Sequence, residues 1–146
     1  MDDQQLHLLA LTQKGYSCSQ ILLLLGLELQ GKENPDLLRA MAGLTRGSAA
    51  GAGTCGTLTG AACLLGLYAG KGEEDELEHE RLPGMLEELW EWFEESFASR
   101  FGGIRCRDLL ADGAPETERC RPLVLETFYK VLEILAANGF DPMEGR

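Results

Sequence analysis

The sequence predicts an all-α protein: a single-domain helical bundle of five to seven helices spanning residues 1–146. Three observations carry that reading. Apolar residues recur at three- and four-residue steps, while no stretch alternates with period two beyond ambiguous short runs. Glycine, proline and capping side chains punctuate the chain at helix-length intervals. A chain of 146 residues without linker, repeat or low-complexity block fits one compact domain.

The elements follow in order. A first helix is expected over Asp2 to Lys14, stopped by Gly15. Ser17 caps a second helix through about Leu29, with Gly31 beyond its end. Asn34-Pro35-Asp36 sets a capping side chain before a first-turn proline, opening a third helix to about Leu44. Residues 46–56 hold four glycines in eleven positions, which calls for tight turns or close backbone approach. Thr54 is read as the cap of a helix to Ala69, rich enough in Gly and Ala for another helix to pack close. Residues 70–81 are charged and read as a solvated loop or helix start.

From Leu82 to Phe101 the periodicity is clearest. Leu82, Met85, Leu86, Leu89, Trp90, Phe93, Phe97 and Phe101 form one apolar stripe opposite a glutamate-rich face. Trp92 lies off the stripe and is the better candidate for an exposed aromatic. Gly102-Gly103 ends this helix, and a short one is expected over Arg105 to Leu110. Pro115, with Glu116 and Glu118, opens a last helix to about Asn138, terminated by Gly139.

Composition excludes several function classes. A net charge of -11 repels phosphate backbones and anionic lipid, so neither nucleic acid nor membrane insertion is expected. The longest apolar runs, Ile21 to Leu27 and Leu58 to Ala69, fall short of the ~20 residues that span a bilayer. The polar, acidic start is unlike a secretory signal, which places the chain in the cytoplasm. No Ser-His-Asp arrangement or nucleophile elbow appears. His7 and His79 lie in polar surroundings and are read as solvated.

Five cysteines in a reducing compartment act as small buried apolar groups, metal ligands or redox groups. Cys18, Cys55, Cys106 and Cys120 each fall near a predicted helix start, where unpaired amides and partial positive charge favour thiolate. Gly53, Gly56 and Gly60 surround Cys55 and are candidates for close backbone approach to a bound cofactor. The spacings of 37, 51 and 14 residues match no zinc-ribbon, ferredoxin or Cys-x-x-Cys signature. Four unrelated buried thiols therefore stand as the competing reading. Cys63 lies inside the fourth helix, roughly 80° around the axis from Cys55, and is read as a buried bystander.

The order and neighbours of the four cysteines resemble the C-GCAxxG-C-C family, bacterial proteins held to be redox-active. Residues 15–20 (Gly-Tyr-Ser-Cys-Ser-Gln) look like its Gly-x-x-Cys-x-Gln element. Residues 54–61 (Thr-Cys-Gly-Thr-Leu-Thr-Gly-Ala) look like its central Cys-Gly-Ala-x-x-Gly element, with Thr57 where the family usually has alanine. Cys106-Arg107-Asp108-Leu109-Leu110 looks like its Cys-x-x-Leu-Leu element, and Cys120 supplies the fourth cysteine. The resemblance also extends to a domain of split-Soret cytochromes; the Cys-x-x-Cys-His of covalent haem attachment is lacking.

The leading functional reading is an iron–sulfur or other metal centre on Cys18, Cys55, Cys106 and Cys120, passing electrons to a redox protein partner. The first alternative is a thiol–disulfide protein, with Cys55 as the attacking thiol and Cys106 and Cys120 as an available pair. A structural zinc site is the second. A helical interaction module, with the aromatic helix as a homodimer face, is the third.

Overall fold

A computed structural model describes residues 2–146. Seven helices and no strand occur among them. Helix α1 (Asp3–Gln13) starts on a capping box: the Asp2 carboxylate accepts from the Gln5 amide, and the Gln5 side chain accepts from the Asp2 amide. It ends before Gly15, whose φ of +94° turns the chain.

Helix α2 (Cys18–Gln30) is capped by Ser17 and closed by left-handed Gly31. Asn34 caps α3 (Pro35–Met41), its side-chain oxygen accepting from the Leu37 amide at 3.1 Å. A 3₁₀ stretch over Ala42–Ser48 follows and breaks at Thr45, Arg46 and Gly47.

Helix α4 (Gly56–Ala69) is the central rod and packs against α2, α5 and α7. Two glycines let α2 close on it. A methyl at Gly60 would lie 2.9 Å from Ser19 Cα, and one at Gly26 would lie 2.3 Å from Leu64 Cδ1. The expected start at Thr54 is one residue early, because Thr54 pairs as an isolated bridge with Arg105 and Cys55 becomes the cap. The charged segment after α4 is a solvated loop in which Glu76 accepts from the Gly72 and Glu73 amides.

Helix α5 (Leu82–Phe93) continues through a π-helical stretch, Glu94–Ala98, into a last turn, Ser99–Phe101. Leu82, Met85, Leu89, Phe93 and Phe97 are buried, as the stripe predicts. The two tryptophans are exchanged relative to expectation. Trp90, at the stripe's edge, is 37% exposed, while Trp92 is half-buried and meets Phe97 edge-on at 5.5 Å. The cause is the π turn. Its extra residue per turn brings Trp92 and Phe97, five apart, onto one face, which an α-periodic reading cannot anticipate.

Helix α6 (Cys106–Leu109) is a single turn, and α7 (Glu116–Ala137) packs along α1, α2, α4 and α5. Leu22, Leu23, Leu58, Leu64, Leu65, Val131 and Ile134 form the dry centre of one apolar core. Cys63 corrects another expectation: its face of α4 is exposed, not buried. The histidines are engaged rather than merely solvated. His7 Nε2 contacts Glu28 at 2.9 Å, and the half-buried His79 ring packs edge-on against Phe140. None of the described helices is long and apolar enough to cross a membrane.

Candidate thiol site

Each cysteine arrives on a different element, placed by local hydrogen bonds. Cys18 is the first residue of α2. Its neighbour Gln20 accepts from the Ser17 amide at 3.0 Å and donates to the Leu38 carbonyl at 3.0 Å. One side chain thus starts α2 and pins it to α3. Thr45 donates to Ser17 at 2.8 Å, and buried Ser19 donates to the Met41 carbonyl at 2.9 Å. The Gly-x-x-Cys-x-Gln pattern is therefore a way of fixing where Cys18 stands.

Cys55 and Cys106 are set by a short antiparallel pairing. The Cys55 amide donates to the Ile104 carbonyl at 2.8 Å, and the Cys106 amide donates to the Gly53 carbonyl at 3.1 Å. The Arg107 amide and Nε both donate to the Gly51 carbonyl, at 3.0 and 3.3 Å. To present these carbonyls the loop turns through left-handed Arg46, Gly47, Ser48, Ala50 and Gly51. Three of these are not glycine and carry a conformational cost that the pairing offsets. Asp108 accepts from the Arg105 amide and starts α6 under Cys106.

Cys120 lies in the second turn of α7, facing back toward α2. Arg119 beside it donates to the Leu109 carbonyl at 2.6 Å and pairs with Asp112, tying α7 to α6. Arg46 reaches Glu116 at 3.2 Å and joins the glycine loop to the start of α7.

Cys18 and Cys120 line one pocket, and Cys55 and Cys106 lie near enough to act on them. A pocket of about 60 Å³ opens between α1, α2 and α7, lined by Leu8, Tyr16, Cys18, Glu116 and Cys120 among others. Cys18 Sγ sits 3.0 Å from where a methyl on Gly56 would be, immediately beside Cys55. Electrostatics reports the same closeness. Burial pushes the Cys18 thiol up to about 12, and charge on Cys55 and Cys106 adds to the rise. Burial, then charge on Cys18, Cys55, Glu116 and Cys106, pushes Cys120 well above the ordinary thiol range. Cys106 rises through burial, Cys55 and Glu116, with Arg46 opposing. Cys55 rises through burial alone, and the Thr57 and Leu58 amides oppose it.

This corrects the expectation that helix starts would lower these thiols. The starts are real, but burial outweighs them in all four. Cys18, Cys55 and Cys106 all act on Cys120. None of the four is bonded to another, and all are free thiols together with Cys63.

Around Cys55 the glycines are filled in by the protein itself. The side that a methyl would occupy at Gly53 meets the Gly47 carbonyl, and at Gly60 it meets Ser19. Gly56 alone of the three faces a cysteine sulfur. Thr57 next to it is fully buried, and its hydroxyl has no hydrogen-bond partner of ordinary geometry. Thr57 lies one residue past Gly56, which abuts Cys18 Sγ, and two past Cys55, and its hydroxyl favours the charged form of each sulfur. Its one signal in the sequence is the departure from alanine.

The donor set fits an iron–sulfur group in kind: four soft thiols, backbone amides at two helix starts, and an unpaired buried hydroxyl two residues past Cys55. It does not fit a single ion as arranged. Among the described residues no three His, Cys, Asp or Glu side chains stand as a group able to hold one metal.

An all-helical domain that brings thiols in from four separate elements has the makings of a redox protein. Comparison with family models agrees. Residues 16–134 match the model described as "Putative redox-active protein (C_GCAxxG_C_C)", and the chain belongs to that family. No curated protein and no solved structure matches it.

Proposed function

We propose that Cys18, Cys55, Cys106 and Cys120 hold an iron–sulfur centre through which the protein exchanges electrons with a redox partner. One observation carries the reading: four thiols from four elements lie close together, and charge on neighbouring sulfurs raises three of them. Four negative sulfurs in an apolar pocket are unfavourable unless a cationic core offsets them. Such a centre supplies one-electron chemistry. The chain's own part is to present the four sulfurs, to exclude bulk water through Leu8, Ile21 and Val124, and to direct the amides of Ser19, Thr57 and Leu58 at Cys18 and Cys55.

The test is anaerobic reconstitution with ferrous iron and sulfide. The expected product is brown, with about two or four irons per chain. Serine replacement at any of the four positions should lower iron content and visible absorbance. Replacing Cys63, which faces solvent, should change neither. Colourless protein without iron after reconstitution would remove the centre.

A second reading has its own support. Burial raises Cys55, but no neighbouring thiolate adds to the rise and two amides favour its charged form. Cys106 is the least enclosed of the four, and Cys55 heads the sulfurs acting on it. A Cys55–Cys106 couple would close one S–S bond, releasing two protons and giving two electrons to an oxidised partner. Mass spectrometry after mild oxidation should then show a reversible loss of two hydrogens, absent in Cys55→Ser.

A further inference from the structure

Buried hydroxyls normally find a partner. Thr57 and Thr127 are the two fully buried threonines whose hydroxyls lack one among the described residues. Their settings differ. Thr127 lies in the second half of α7, and none of the four cysteines feels its hydroxyl. Thr57 is the second residue of α4, two past Cys55 and one past Gly56, which rests against Cys18 Sγ and the Leu44 carbonyl. A residue at that point has nowhere to turn toward water.

We propose that Thr57 is a positioning residue whose hydroxyl donates a hydrogen bond to the sulfur of Cys18 or Cys55 when that sulfur gains negative charge, and so sets the reduction potential of the site. The inference rests on the redox reading above and adds a specific donor to it. A donor to sulfur favours the electron-rich state, whether that state is a reduced metal–thiolate centre or a reduced thiol pair. Its loss therefore lowers the potential in either case. Thr57 stands between Cys18 on α2, against which Gly56 rests, and Cys55 at the start of α4, so one hydroxyl serves either sulfur.

The experiment compares the full-length parent with Thr57→Val, which keeps the shape and removes the hydroxyl, and Thr57→Ser, which keeps the hydroxyl. Midpoint potentials are taken by potentiometric titration of the iron-loaded protein, or in dithiothreitol redox buffers with alkylation and intact mass if no iron binds. Thr57→Val should lower the equilibrium constant for reduction about tenfold, roughly 59 mV for one electron or 30 mV for two. Thr57→Ser should restore most of it, and Thr127→Val should leave it unchanged. A Thr57→Val potential equal to the parent's overturns the proposal while leaving the redox reading intact.

Should no reversible couple exist, the redox reading fails and a stability cycle still decides the hydrogen bond. Measured at alkaline pH, where the sulfurs begin to ionise, Thr57→Val should stabilise a Cys18→Ala, Cys55→Ala background more than it stabilises the parent, because there the hydroxyl has lost its charged sulfur acceptors. Equal effects in the two backgrounds would show that no such bond exists.

Discussion

Gly56 is the residue at which packing and chemistry meet. A methyl there would approach the Leu44 carbonyl to 2.8 Å and Cys18 Sγ to 3.0 Å. The first contact is backbone and has little room to give, so Gly56→Ala should cost about 1–3 kcal/mol. It should also push Cys18 away from Cys55. Urea denaturation measures the first effect, and the iron content of reconstituted protein measures the second. Gly66, on the same helix, has nothing within 4 Å of the added methyl. Gly66→Ala should therefore stabilise by about 0.4–1 kcal/mol through the unfolded chain. If both substitutions behave alike, the tight contact at Gly56 is not what makes it necessary.

The elements show which physics a single sequence displays. Caps and stops are local, and Gly15, Ser17, Asn34, Gly31 and Gly139 could be read as such because each acts on its own turn. The cysteine positions at helix starts were legible for the same reason. The π turn in the aromatic helix, the Thr54–Arg105 bridge and the left-handed Arg46, Ser48 and Ala50 were not. Each is imposed by partners distant in sequence. The sign of the thiol shifts was misjudged because dipole and amides are local while burial is not. Gln20 is the case where a motif residue acts through a helix end. Gln20→Ala removes both the reach to Ser17 and the bond to Leu38, and should cost about 1–2 kcal/mol. Thermal unfolding checks this, and Gln20→Glu separates the two roles, since it keeps the acceptor for Ser17 and loses the donor to Leu38. A Gln20→Glu variant as stable as the parent would mean that the bridge to α3 contributes nothing.

At the scale of the whole molecule, the site makes stability depend on pH, and the direction follows from the raised thiols. An exposed cysteine ionises near 9.0, whereas Cys18 in the fold holds its proton to about 12. Cys120 is raised in the same direction. A group whose folded value is raised favours the folded state fully below its unfolded value. That advantage is lost as pH climbs from about 9 toward about 12, because the unfolded chain gives up protons that the folded chain retains. Each buried thiol contributes a slope of up to about 1.4 kcal/mol per pH unit over that window. The urea midpoint of reduced, metal-free protein should therefore stay flat up to about pH 8 and fall steeply above 9. Tyr68, also raised by burial, titrates over part of the same range, so the parent is compared with a Cys18→Ala, Cys120→Ala variant. The variant should lose most of the alkaline slope, even if its stability at neutral pH is lower. Parallel curves for the two proteins would mean that these sulfurs reach water freely. A cationic centre bound by the same sulfurs would make them thiolates in the fold at neutral pH, and the alkaline fall should then disappear on loading with iron and sulfide.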